Sequence, residues 1–138
     1  MQIVRRFEFD MGHRVYGHGG KCKHPHGHRY TALVTMETGV LNELGMVVDF
    51  GDVKTTIGGW IDRVMDHGFC VFREDTGLLE AFSRVDDTKL LIVDFNPTAE
   101  NLAQWMLDKL RLGEVVPAGV TITQITLFET PNCWAIAK

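Results

Sequence analysis

Five of the six histidines lie between residues 13 and 28. Two of them, His26 and His28, form a His-Gly-His motif. Side chains two residues apart in a β-strand point the same way, about 7 Å apart along the chain, so both imidazoles can reach one ion. His13, on a preceding strand, supplies a third. Three ligands that leave one tetrahedral position open are typical of catalytic zinc, and we therefore predict a Zn2+ site at these three histidines.

Two other histidines lie near this predicted site. His24 has the same parity as His26 and could replace it as a ligand, whereas His18, flanked by glycines, is expected to face solvent. A lone histidine would favour a surface position without a metal. Three that share the inward parity of two neighbouring strands favour metal binding.

A cysteine precedes the His-Gly-His motif by four residues. Cys22 lies between Lys21 and Lys23 in a loop rich in glycine. A thiol beside cations or a metal can serve as a thiolate base or nucleophile. Cys22 is therefore a candidate catalytic residue, whereas Cys70 and Cys133 fit the role of inert small hydrophobic residues better.

Two acidic positions could also take part in chemistry. Asp66 precedes His67, and such a pair can orient a proton transfer, although the dipeptide is common at helix ends. Glu129 has the inward parity of a predicted strand, where a carboxylate is costly unless it is paired. It either reaches water at the strand end or binds a guanidine-like group of a ligand.

Two strands must position the histidines. Apolar residues alternate with polar ones before His13, and the alternation returns after His28, at positions 3, 7, 9 and 11 and at positions 30, 32, 34 and 36. This period of two predicts half-buried strands. The metal ligands continue the apolar parity of both strands and should therefore point inward.

The remaining sequence predicts two helices and two more strands. Apolar steps of three and four begin after Asp49, a plausible N-cap, and a second series follows Asn96-Pro97-Thr98, at positions 50, 53, 57, 61 and 64 and at positions 102, 105, 106 and 110. Residues 68–95 are expected to be irregular, with a short apolar run at 90–93. Strands are predicted at 120–128 and 133–137, which gives one α+β domain over residues 1–138.

The composition limits the classes of partner. The 138 residues are 45% hydrophobic and 23% charged, with a net charge of −4, which argues against nucleic acid as the main partner. No apolar run approaches the roughly 20 residues that span a bilayer. Three irregularly spaced cysteines argue against a disulfide framework, so a reducing cytoplasm is expected. Local cations could still hold a small anionic ligand, at Arg14, Lys21, Lys23, Arg29 and Lys54.

The motifs together resemble a known enzyme family. Phe9-x-x-x-His13 followed by Cys22-Lys-His-Pro-His26-Gly-His28-x-Tyr30 is similar to the zinc motif of the 6-pyruvoyl-tetrahydropterin synthase family. The other matching pieces follow in the family's order over almost the whole chain: Val48-Asp49-Phe50 with Lys54, Asp66-His67, Pro97-Thr98-Ala99-Glu100 and Glu129-Thr130. The three-residue gap between Cys22 and the His-Gly-His motif resembles the bacterial 6-carboxy-5,6,7,8-tetrahydropterin synthase branch, which serves queuosine and other 7-deazapurine synthesis.

The resemblance implies a fold, an activity and an assembly. The fold would be the tunnelling fold, an antiparallel sheet with two helices packed on one face. The protein would be a lyase that converts 7,8-dihydroneopterin triphosphate to carboxytetrahydropterin with loss of acetaldehyde and triphosphate. Its subunits would pack as two trimers into a homohexamer, with active sites at subunit interfaces.

The resemblance also implies residue roles. His13, His26 and His28 would bind zinc, and Cys22 would be the general base. Asp66 and His67 would form a proton relay, while Glu129, helped by Thr98, would anchor the pterin.

The sequence departs from the family in places, and alternatives stay open. Gly68-Phe69-Cys70-Val71 stands where a leucine-asparagine pair is usual, and 72–94 looks like an insertion. The same fold could instead form pyruvoyl-tetrahydropterin or cleave the side chain as an aldolase. Two histidines and a carboxylate could hold iron in an oxygenase. A binding module that has lost catalysis is a further alternative, which the presence of Cys22 and Asp66-His67 disfavours.

Overall fold

A computed structural model describes residues 1–138 of the chain, and its centre is a mixed six-stranded sheet. The strand order is β4-β3-β1-β2-β5-β6. The strands are β1 (Gln2–His13), β2 (His26–Glu37), β3 (Gly68–Phe72), β4 (Leu90–Val93), β5 (Thr121–Thr130) and β6 (Cys133–Ala137). Strands β1, β2, β5 and β6 pair antiparallel, whereas β3 pairs parallel with both β1 and β4.

The period-two prediction for the first two strands is confirmed. In β1, Phe9, Met11 and His13 are buried while their neighbours are more exposed, and β2 buries every second residue from Tyr30. These side chains form the central part of one hydrophobic core, which the helices complete. The apolar parity that ends in histidines therefore points to the covered face of the sheet.

Helical segments follow β2. Segment α1 (Phe50–Val53) continues through a π-helical turn (Lys54–Gly58) into α2 (Gly59–Val64). The predicted N-cap is present, because the Asp49 side chain accepts a hydrogen bond from the Gly51 N–H at 2.6 Å. The long helix α4 (Ala99–Leu112) buries its predicted apolar stripe, and Thr98 caps its N-terminus.

The prediction that 68–95 is irregular is wrong. This segment forms β3, the short helix α3 (Thr76–Phe82) and β4, so the sheet is mixed rather than wholly antiparallel and carries an additional helix. Helix α3 buries none of its own residues, and β3 and β4 have five and four residues. Elements this short carry no clear hydrophobic period, and α3 also lacks a buried face. The predicted insertion at 72–94 covers α3 and β4 and stays a prediction.

Two more findings concern the chain as a whole. None of its helices combines the length and apolar character needed to cross a lipid bilayer. All three cysteines are free thiols, with Cys70 buried, Cys22 partly buried and Cys133 exposed.

Candidate metal centre and adjoining pockets

Strand register brings the three predicted ligands together. The last residue of β1 pairs with the first residue of β2, so that His13 lies opposite His26 and Met11 lies opposite His28. Since all three histidines have the inward parity, their rings meet at the end of the covered face. One ligand nitrogen from each ring lies within 4.8 Å of the other two.

Backbone carbonyls fix the tautomers of two of these rings. His13 Nδ1 lies 2.6 Å from the carbonyl oxygen of Pro97, and His26 Nδ1 lies 2.7 Å from that of His24. A carbonyl only accepts hydrogen bonds, so both Nδ1 atoms donate and both Nε2 atoms keep a lone pair. Histidine ligands of metals typically donate their second nitrogen in this way.

The three Nε2 atoms have the arrangement that a cation requires. Those of His13 and His26 are 3.1 Å apart, and two facing lone pairs at that distance repel unless a proton or a metal lies between them. The Nε2 of His28 is buried and has no hydrogen-bond partner. Imidazole ligands of tetrahedral zinc, with Zn–N bonds of about 2.05 Å, are about 3.3 Å apart. The donor set therefore fits a zinc ion.

Burial favours the neutral form of two of these imidazoles, those of His13 and His28. Desolvation lowers the pKa of His13, against the opposing effects of the Pro97 carbonyl and the Glu129 carboxylate. Desolvation likewise lowers the pKa of His28. Neutral rings are the metal-binding form. Next to them, Tyr30 is fully buried, and its phenolic pKa is raised by burial and by Glu129, so this residue stays protonated.

Glu129 lies beside the three clustered histidines. Its Oε1 atom is 3.4 Å from His13 Nε2 and 3.9 Å from His28 Nε2, and a quarter of its side chain is exposed. The residue lies near the end of β5, where the pairing with β6 shifts register between Phe128 and Thr130. The carboxylate thus lies next to the histidines and keeps access to solvent, and its role as a ligand anchor stays a prediction.

Cys22, Thr98 and Glu129 line one pocket, of about 320 Å³. Cys133 and Trp134 also contribute to its wall. The predicted thiol, the predicted carboxylate and the helix N-cap are thus brought together beside the metal ligands.

Asp66 and His67 are brought together in a different place. His67 Nδ1 donates to Asp66 Oδ2 at 2.7 Å, and the backbone N–H of Asp10 donates to Asp66 Oδ1 at 2.8 Å. Burial opposes ionisation of Asp66, but these hydrogen bonds, the charge of His67 and that of Lys89 outweigh it and lower the pKa of Asp66. His67 is 78% exposed and lines another cavity, of about 470 Å³, which also contacts His28. Within one chain, the pair therefore does not share a pocket with Cys22.

Several other residues near the site have defined positions. His24 is exposed and contributes only its carbonyl, and His18 is exposed as expected, with Nδ1 accepting from the Gly20 N–H. Arg14 is not free, because its guanidinium pairs with the buried carboxylate of Asp75. Sequence reasoning missed Asp75, and it also missed the Pro97 carbonyl, because a backbone acceptor leaves no trace in side-chain patterns.

An α+β fold with a mixed sheet, and a partly buried cluster of three imidazoles beside a thiol and a carboxylate, is the arrangement of an enzyme with a candidate metal site. Residues 2–138 match the family model described as 6-pyruvoyl tetrahydropterin synthase, and the chain belongs to this family. A relative from Rickettsia bellii named 6-carboxy-5,6,7,8-tetrahydropterin synthase is 38% identical over 97% of each chain. The expected family and the expected assignment as an enzyme of that family are confirmed.

Solved structures confirm the expected fold. An uncharacterised protein from Wolinella succinogenes superimposes with a TM-score of 0.84 at 27% identity, covering 99% of this chain and 97% of its own. A 6-pyruvoyltetrahydropterin synthase from Plasmodium vivax superimposes with a TM-score of 0.75 at 16% identity, over 99% and 96%. The tunnelling fold expected from the sequence is therefore present, with the mixed sheet described above.

Proposed function

We propose that this protein is a zinc-dependent 6-carboxy-5,6,7,8-tetrahydropterin synthase. It would convert 7,8-dihydroneopterin triphosphate to 6-carboxy-5,6,7,8-tetrahydropterin, with release of acetaldehyde and triphosphate, in queuosine and related 7-deazapurine synthesis. The name of the Rickettsia relative and the three-residue gap between Cys22 and the His-Gly-His motif support this product.

One observation carries the proposal. The nitrogens of His13 and His26 face each other at 3.1 Å with both tautomers fixed by carbonyls, and the buried nitrogen of His28 has no protein partner. A divalent cation is the partner that satisfies all three at once. Three imidazoles suit zinc, whereas an iron oxygenase would replace one of them by a carboxylate.

The residues around the centre then have complementary roles. Zinc, when bound by the three histidines, supplies Lewis acidity toward oxygens of the substrate side chain. Cys22 would remove a carbon-bound proton as general base, and Asp66 and His67 would relay a proton. The Glu129 carboxylate would accept two hydrogen bonds from the 2-amino-pyrimidinone edge of the pterin, helped by Thr98. A ring held in this way keeps its reacting carbon beside the thiol.

A homohexamer of two trimers, with active sites between subunits, completes the proposal. Cys22 and His67 line different cavities of one chain, and a neighbouring subunit would close the space between them. The two edge strands of the sheet expose apolar side chains that assembly would cover, at Ile92, Trp134 and Ile136. The three free thiols suit a cytoplasmic location.

Product analysis tests the function. Purified zinc-replete protein is incubated with 7,8-dihydroneopterin triphosphate, and the products are identified by mass. We expect the carboxy product with acetaldehyde and triphosphate. A product that keeps the three-carbon side chain would identify a pyruvoyl-forming enzyme instead, and release of an intact side-chain aldehyde would identify an aldolase. Elemental analysis should give zinc, and iron with oxygen consumption would contradict the proposal.

A Cys22→Ala variant tests the role of the thiol separately. We expect zinc content to stay at the level of the unaltered protein while turnover is lost. Unchanged turnover would remove Cys22 from the proposed mechanism but would leave the metal centre and the product assignment standing.

A further inference from the structure

The segment 73–94 contacts the loop that carries Cys22, through Arg14, and the turn that carries His67, through the Asp66 carbonyl. It contains helix α3 and strand β4 and lies between the Asp66–His67 turn and the Asn96-Pro97-Thr98 cap. Two of its side chains reach back to the loop of Cys22 and to the turn of His67: Asp75 and Lys89. Neither residue touches a site pocket, so neither has a role in the proposed chemistry itself.

Asp75 is a buried charge with a full set of partners. Only 1% of the residue is exposed, and both of its oxygens accept hydrogen bonds from the Arg14 guanidinium. Its Oδ1 also accepts from the Leu78 N–H at 3.2 Å and caps helix α3. A buried bidentate pair of this kind has a fixed geometry, because an arginine fork matches the two oxygens of a carboxylate.

Through Arg14, this pair adjoins the backbone hydrogen bond that closes the Cys22 loop. Arg14 directly follows the metal ligand His13, and the next residue, Val15, donates its N–H to the Cys22 carbonyl at 2.7 Å. The segment from Val15 to Cys22 is thus closed by a backbone hydrogen bond whose donor residue is adjacent to Arg14. Movement of Arg14 would move Val15 and with it the backbone of Cys22.

Lys89 contacts the turn that carries Asp66 and His67. Its Nζ donates to the carbonyl of Asp62 at 2.7 Å and to that of Asp66 at 2.6 Å, both at the C-terminal end of α2. An ammonium group is favourable there because the last helical carbonyls lack partners and carry partial negative charge. His67 follows directly with φ of 56°, a left-handed conformation that is strained for histidine, and its N–H donates to the Asp10 carbonyl at 2.7 Å.

We infer that Asp75 and Lys89 are positioning residues of the active site, acting on Cys22 through Arg14 and on His67 through the Asp66 carbonyl. The inference rests on the proposed function, which makes Cys22 and His67 catalytic. Segment 73–94 would then have a defined role. It would hold in place two separate loops, each of which carries a proposed proton-transferring group.

The test combines amide hydrogen exchange with steady-state kinetics on the whole protein. Asp75→Asn keeps the shape and the cap of α3 but cannot accept the complete guanidinium fork. Lys89→Met keeps the aliphatic stem and removes the donor, and Lys89→Arg restores a donor as the conservative rescue. Glu80→Gln is the matched control, since it lies on α3 and breaks an exposed ion pair with Arg84, just after the helix.

We expect each variant to loosen its own loop. Exchange of the Val15 amide should rise about 10-fold or more in Asp75→Asn, and exchange of the His67 amide should rise similarly in Lys89→Met, because each loses a local restraint. kcat should fall about 10- to 100-fold in both, with KM within about twofold, since misplacing a catalytic group affects the chemical step. The zinc content of every variant should match that of the unaltered protein. Lys89→Arg and Glu80→Gln should also match it in amide exchange and in kcat.

A second variant guards against misfolding. Arg14→Lys leaves Asp75 and its helix cap intact and removes only the fork, so it should reproduce the Val15 exchange and the fall in kcat. Normal exchange and normal kcat in both Arg14→Lys and Lys89→Met would overturn the inference. Faster exchange with normal kcat would also overturn it, because the contacts would then be merely structural. An unaltered protein that does not turn over the pterin would instead refute the proposed function, while the exchange comparison would still decide whether the two loops are held.

Discussion

Gly12 offers the sharpest test of how the sheet positions the metal ligands. It lies between Met11 and His13 in β1, opposite Phe69 of the parallel strand β3 and opposite Gly27 of β2. A Cβ atom at Gly12 would lie 2.4 Å from Cδ2 and 2.7 Å from Cε2 of the Phe69 ring. Carbon atoms in contact normally lie about 3.5 to 4.0 Å apart. The ring or the strand must therefore move by about 1 Å.

The ring cannot move without cost. Phe69 packs against Phe82 of α3, with ring centroids 4.9 Å apart. Overpacking of this kind costs about 1 to 3 kcal/mol. For a chain of this length, that corresponds to a fall in Tm of about 3 to 12 °C. Because His13 is the next residue, the strain should also displace its imidazole, and we expect zinc affinity to fall about 10-fold or more in Gly12→Ala.

Gly27→Ala is the matched control. A Cβ atom there would lie 3.5 Å from the Met11 carbonyl oxygen and 3.8 Å from the Gly12 Cα, which are ordinary contacts. We expect its Tm and zinc affinity to stay at the values of the unaltered protein. Thermal unfolding of the metal-free proteins gives the first quantity, and competition with a chelator of known affinity gives the second. If Gly12→Ala behaves like Gly27→Ala in both assays, the contact between β1 and β3 does not position His13.

Three further predictions concern single side chains. Burial raises the pKa of Cys70 from 9.0 to about 12. The neutral thiol therefore favours the folded state below about pH 9, and this contribution is lost as the pH rises toward 12. In urea unfolding, the difference in free energy of unfolding between the unaltered protein and Cys70→Ala should be smaller near pH 10 than at neutral pH. Asp49→Ala removes the N-cap bond to Gly51 and should lower the free energy of unfolding by about 1 kcal/mol, with an unchanged m-value. Glu129→Gln should weaken binding of neopterin about 10- to 100-fold in a fluorescence titration, because a charged acceptor is lost, and equal affinity would argue against the pterin anchor.

The cluster of three histidines was predictable because their positions follow from one local rule. Both strands alternate clearly, and His13, His26 and His28 extend the buried parity of apolar residues on either side of a short connection. Antiparallel pairing of neighbouring strands then leaves little choice of register, since a shift by one residue would turn every buried side chain outward. Side-chain parity was therefore enough to identify the cluster.

The parallel part of the sheet could not be predicted by that rule. Strand β3 pairs with β1 across more than fifty residues of sequence, and β3 pairs with β4 around a helix that buries nothing. The features that fix this arrangement are single contacts, such as the Gly12 approach to Phe69 and the Arg14 pair with Asp75. In the sequence alone, a buried aspartate such as Asp75 cannot be distinguished from an exposed one, because its partner Arg14 is distant along the chain.

The pocket of Cys22 and the turn of His67 also differ in whether local sequence patterns or long-range contacts determine their positions. Thr98 and Glu129 lie at the ends of α4 and β5, and together with Cys22, in the loop between β1 and β2, they line one pocket beside the three histidines. His67 depends instead on a left-handed turn, on a carbonyl of β1 and on Lys89. Its position is therefore a property of long-range packing, and substitutions that leave the zinc centre intact can still displace it. Loss of turnover without loss of metal is the behaviour that this arrangement predicts for the segment 73–94.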